Sequence, residues 1–166
     1  MEGDVGVFDW AGVVVVANLI WGGDGETGMT DMRAVFDALP GLLRGHDWLV
    51  SDAECWPDLG LGVEPVWMTG AELDELIGTG PVQFIWGVFS GVPVGYPVNL
   101  EVVPQAWTDS FYRVSPRPRL EGAAVEIVCV DSSFCLLIGL SEELADQFRG
   151  RFRGRWMIWM RRTGDA

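Results

Sequence analysis

Ala123-Ala124-Val125-Glu126-Ile127-Val128-Cys129-Val130, then Asp131-Ser132-Ser133, then Phe134-Cys135-Leu136-Leu137-Ile138 is the stretch that decides the fold class. Two apolar, β-branched runs flank three residues whose short polar side chains bond nearby backbone, which is the pattern of an antiparallel hairpin. Ser141 follows as a helix cap. Glu142 and Glu143 stand in the first turn, where carboxylates meet the positive end of the helix dipole, and Leu144 and Phe148 supply the inward face. Upstream, Val82 to Ser90 is apolar on both alternating faces, as a central strand is. Val13 to Trp21 reads as another strand, β-branched and then aromatic, stopped by Gly22-Gly23. Asp47 to Cys55, Val98 to Val103 and Trp156 to Met160 are further candidate strands.

Helices fall between these runs. Thr30 is placed to cap a helix whose Met32, Val35, Phe36 and Leu39 share one face, and Pro40-Gly41 stops it. Thr69-Gly70-Ala71-Glu72 spells a capping box, in which hydroxyl and carboxylate each satisfy one orphan amide; Leu73, Leu76 and Ile77 follow as the buried face and Gly78 ends the helix. Pro104 and Ser115-Pro116-Arg117-Pro118 mark an irregular surface segment. Strands and helices do not alternate strictly, so the expected fold is α+β, a mainly antiparallel sheet with about three helices packed on it. The chain has 166 residues, 49% of them hydrophobic, which suits a single globular domain over 1–166.

Charge is unevenly spread. Residues 1–110 hold 17 Asp/Glu against Arg33 and Arg44, a formal −15, whereas residues 111–166 hold nine Arg and seven Asp/Glu, for a total of −13 with no Lys. Such a chain repels phosphate backbones and anionic membranes and attracts basic partners, so neither nucleic acid nor membrane is an expected partner. The acidic Met1-Glu2-Gly3-Asp4 lacks the positive n-region of a secretory signal. Ala11 to Trp21 is too short and too interrupted to span a bilayer. Cys55, Cys129 and Cys135 form no CxxC pair, which suits reduced thiols in a cytoplasm. Nine Trp leave two readings open, core filling or surface anchors for binding.

No arrangement of residues spells out catalysis. Gly23-Asp24-Gly25-Glu26-Thr27-Gly28 matches GxGxxG, but Asp24 and Glu26 put negative charge where a pyrophosphate would sit, so a loop is expected. The same acids do not follow the spacing of a Ca²⁺ loop. His46, the only His, has no ligand partner at zinc spacing. Ser90 lacks the glycine of a nucleophile elbow, and Asp131-Ser132-Ser133 has no His or Lys beside it to activate a hydroxyl. Glu72 serves a cap, while Asp74 and Glu75 are expected on a solvated helix face rather than as an acid–base pair. Arg149, Arg151, Arg153 and Arg155 alternate. In an extended segment they would share a face, either to neutralise the acidic part of the chain or to grip phosphate. No cofactor and no metal are expected.

Phe84-Ile85-Trp86-Gly87-Val88-Phe89-Ser90-Gly91, together with Val125 to Ser133 leading into Ser141-Glu142-Glu143-Leu144, resembles small bacterial immunity proteins found beside polymorphic or contact-dependent toxins. The likeness spans about residues 82–152. It implies a non-enzymatic protein that binds and neutralises one cognate toxin, and it carries over no catalytic or contact residue. An acidic face would steer onto a basic toxin such as a nuclease. The acid- and Trp-rich set Asp47, Trp48, Asp52, Glu54, Trp56, Asp58, Glu64 and Trp67 is the expected contact region; alternatively, it is a solvated loop covering a sheet edge. The competing readings are a small enzyme using Asp131, Ser132 or a carboxylate pair, and a regulatory adaptor with no toxin partner.

Overall fold

The computed structural model describes residues 16–22, 30–106, 117–152 and 156–158, with the backbone alone at Val16, Ala17 and residues 156–158. Along the chain run β1 (Val16–Trp21), α1 (Met32–Asp37), β2 (His46–Trp56), β3 (Val66–Thr69), α2 (Gly70–Ile77), β4 (Gln83–Pro93), β5 (Val125–Val130), β6 (Phe134–Ser141), α3 (Glu142–Arg151) and β7 (Trp156–Ile158). The strands form one seven-stranded sheet in the order β3-β2-β4-β5-β6-β1-β7, with every neighbouring pair antiparallel. This is the expected α+β fold, with the sheet dominant and, among the described residues, three short helices against it.

The hairpin forms as its sequence requires. Val130 pairs with Phe134, and Asp131 and Ser132 take left-handed φ values of 47° and 55°, a conformation that Asp tolerates better than most non-glycine residues. The Ser132 amide donates to the Ile85 carbonyl, tying the tip to β4. β4 is central, as its two-faced apolar pattern demands: Phe89 lies against one core cluster and Val88 against the other.

One face of the sheet carries the helices. Met32, Val35 and Phe36 of α1, Leu73 and Ile77 of α2, and Ala145 and Phe148 of α3 pack there with Leu19, Trp21, Trp48, Phe84 and Phe89. Trp48 is fully buried, meets Phe36 edge-on at 5.0 Å, and donates its indole N–H to the Leu43 carbonyl at 2.8 Å. Across the strand pair, Gly91 leaves room for that ring. A Cβ there would stand 2.9 Å from Trp48 Cη2 and 2.7 Å from Val125 Cγ1, so only glycine fits. On the other face, Leu120, Val98, Val103 and Ala123 lie over Leu49 and Val92, and Ala106 over Val88, Val128, Leu136 and Ile138.

Four expectations change. The cap of α1 is Asp31, whose carboxylate accepts from the Arg33 amide at 2.9 Å, while the Thr30 hydroxyl instead donates to the Phe84 carbonyl; the shorter reach of Asp31 to the first free amide wins the cap. Val98 to Val103 is not a strand. Asn99 Oδ1 accepts from the Glu101 amide and curls the backbone, an Asx turn competing with a ladder; only the Asn99–Glu121 bridge remains. Asp74 does not idle on a solvated face, because it binds Arg33 Nη1 at 2.6 Å and Arg44 Nη2 at 2.5 Å. Arg149 and Arg151 lie in α3, not in an extended segment. The 3.6-residue period of Ala145 and Phe148, the Ser141 cap and the Arg at the negative helix end outweigh the alternation. Arg149 pairs locally with Asp146, and Arg153 and Arg155 lie outside the described residues. The Gly23–Gly28 motif lies outside them too. The strand before it has antiparallel neighbours on both sides, not the parallel partner a dinucleotide site needs.

Candidate functional site

The expected contact residues belong to one edge of the sheet. β2 carries Asp47, Trp48, Asp52, Glu54 and Trp56; a loop over 57–65 carries Asp58 and Glu64; β3, the edge strand, carries Trp67 opposite Leu49. A bulge at Asp52, with φ 51°, breaks the register between Ser51 and Glu54. It resets the alternation of β2, so that Ala53 and Cys55 sit against the helical core and Glu54 faces solvent. The loop is held back on the bulge: the Asp52 and Ala53 amides donate to the Val63 and Gly62 carbonyls. The Gly60 amide bonds Asp58 Oδ1 at 2.8 Å.

The set divides on burial. Glu54, Asp58 and Glu64 are exposed, as are Trp56 at 75% and Trp67 at 45%. Trp48 leaves the set, since it is a core residue. Asp52 is half-buried and structural, accepting from the Ala106 amide at 2.9 Å. Asp47 is half-buried. Val63 (73% exposed) and Val66 (37%), which no sequence pattern marks, extend the apolar surface along the same edge. Val94, Tyr96, Leu100 and Val102 are exposed too, in the segment that covers the second face. A Val or Leu in a loop reads as filler until its exposure is known, so no pattern singled them out.

Residues 45–112 contain no Lys or Arg. Arg33 and Arg44 are both committed to Asp74, with Arg33 also bonded to Asp37 at 3.1 Å. Those guanidiniums, Arg33 foremost, hold the Asp74 carboxyl below the usual carboxylate range. They tie α1 and the 41–45 turn to α2.

A second acid is sealed from solvent. Glu126 of β5 is fully buried. Its Oε1 accepts from the Leu120 amide at 2.8 Å and the Ser90 hydroxyl at 2.9 Å, and its Oε2 from the Arg119 amide at 2.6 Å. Burial pushes its carboxyl up to about 7, against the pull of those donors. Ser90, weighed as a nucleophile from the sequence, is fully buried with it and serves to seat this carboxylate. Asp131 and Ser132 serve the turn. His46 Nδ1 lies 2.9 Å from the Leu42 carbonyl. Among the described residues no three His, Cys, Asp or Glu side chains converge as a metal site requires, and no helix is long and apolar enough to cross a membrane. No family model, curated protein or solved structure matches this chain.

Proposed function

We propose that the chain is an inhibitory binding protein of the bacterial immunity type, which neutralises a basic toxin, such as a nuclease, by covering its cleft. The observation that carries this reading is the edge just described, where exposed Trp56, Trp67, Val63 and Val66 are interleaved with Glu54, Asp58 and Glu64. Apolar anchors inside a charged surround are the composition of a binding hot spot. The carboxylates speed encounter with a positive partner, and the aromatic rings set how slowly it leaves.

The test is association with a toxin encoded beside the chain, followed by surface binding kinetics at several salt concentrations. A tight one-to-one complex is expected, with an on-rate that falls steeply with salt. Glu54→Gln, Asp58→Asn and Glu64→Gln together lower that on-rate at least about tenfold at low salt, within the range that steering supplies. An on-rate indifferent to salt and to the triple substitution refutes the steering, and turnover of a small molecule by the purified chain refutes the reading.

A further inference from the structure

Where β2 ends and β4 begins, Asp31, Trp56, Pro57, Pro81, Val82 and Gln83 enclose an open groove of about 370 Å³, near the lower end of the roughly 300–1,000 Å³ typical of ligand sites. Its lining residues are one tryptophan, two prolines and a valine, with one aspartate and one glutamine as the polar members. The pairing of Asp31 with Gln83 and of Trp56 with Gln83 brings these groups together. Two features give the groove chemical preference. Trp56 is 75% exposed, so a ring face is open to a visitor. The Asp31 carboxylate spends Oδ1 on capping α1, and among the described residues nothing occupies Oδ2. Among the described residues no cation lines the groove, and the exposed acids Glu54 and Asp58 stand two residues to either side of Trp56 along the chain.

We infer that this groove receives an arginine side chain of the protein partner, with the guanidinium stacked on Trp56 and bonded to Asp31 Oδ2. Arginine is selected over lysine because its planar, weakly hydrated head stacks on an aromatic face while its N–H fork still reaches a carboxylate, and the Gln83 amide oxygen accepts a further N–H. Pro57, Pro81 and Val82 take the aliphatic stem. The inference rests on the inhibitory reading and gives it a point of recognition: a basic partner engages this edge through an inserted arginine rather than through diffuse charge alone.

The groove is tested without the partner by titrating the peptide acetyl-Gly-Arg-Gly-amide, and its Lys and citrulline counterparts, into the full chain while following the Trp56 indole and Gln83 amide signals by NMR. The arginine peptide is expected to shift those signals and to bind several-fold more tightly than the lysine peptide, with citrulline silent. Trp56→Ala and Asp31→Asn each weaken it about tenfold, while Asp31→Asn leaves the fold unchanged because Asn caps helices as well as Asp. Equal affinity for the two cationic peptides, shifts that map elsewhere, or indifference to both substitutions overturns the inference. The neighbouring toxin separates the two claims. If it binds the chain with an affinity that Asp31→Asn does not change, the groove assignment fails and the inhibitory reading stands. If the arginine peptide binds as expected and the toxin does not bind, the groove stands as a site and the inhibitory reading fails.

Discussion

Glu126→Gln tests the physical account most sharply, because its signature is a change in pH dependence and not merely a loss of stability. The carboxyl has an ordinary value of 4.5 and is pushed up to about 7 in the fold. Ionising it therefore costs more folded than unfolded. Its stabilising contribution is complete below about pH 4.5 and is lost as pH rises through about 7. The gap corresponds to about 3 kcal/mol, of which about 2–3 kcal/mol falls between pH 5 and 8. Gln cannot ionise, and it cannot accept from Leu120, Ser90 and Arg119 at both of its terminal atoms, so it forfeits one amide bond worth about 1–3 kcal/mol at every pH. Urea unfolding of both proteins at pH 5, 6, 7 and 8 isolates the effect, since repulsion within a chain of net charge −13 acts on both and cancels in the difference. The substituted chain is the less stable at pH 5. The gap closes by about 2–3 kcal/mol by pH 8, about 1 M in urea midpoint for a domain of this size. Two curves that stay parallel from pH 5 to 8 refute the claim that burial raises this carboxyl to about 7.

Further outcomes follow from other contacts. Gly91→Ala forces a methyl into Trp48 and Val125 and is expected to cost about 1–3 kcal/mol, read as a lower urea midpoint. Trp48→Ala empties a fully buried site and costs about 3–5 kcal/mol, so any loss of partner binding it causes scales with unfolding and not with contact. Trp67→Ala, at a ring 45% exposed, costs less stability than Trp48→Ala because less area is uncovered, yet weakens the proposed partner complex by about 2 kcal/mol or more, as hot-spot truncations do; calorimetry of the free and bound chain separates the two. Asp74→Asn releases Arg33 and Arg44 and lowers the thermal midpoint at neutral pH. Because Asp74 is held below its ordinary range, the difference from the parent chain shrinks as pH falls and that carboxylate protonates.

Local chemistry carried most of the fold. The capping box at Thr69, the Ser141 cap, the 131–133 turn and the two-faced pattern of β4 each depend on residues a few positions apart, and each formed where the spacing places it. The misses are contests between local and distant partners. Asp74 looks solvated on its own helix, and only the approach of Arg33 and Arg44 from other elements shows its use. The Arg149–Arg155 alternation carries a strand period, but the first two of its members sit on a helix already capped and apolar at 3.6-residue spacing. At the candidate site the acids and Trp56 and Trp67 were legible as residue types, whereas Trp48 was not separable from them, because burial depends on the strand face and the Asp52 bulge changes that face midway. Glu126 was hidden inside an apolar run, and its donors come from Ser90 and from the segment over 119–120.

The Glu72 carboxylate that completes the capping box also has a consequence for crowding. Its Oε2 takes the Thr69 amide at 2.7 Å, on the outermost strand of the sheet. A neighbouring molecule seeking to extend the sheet there meets an occupied donor and a negative charge, with four residues of strand to grip. That border thus resists copies of the chain zipping together along it.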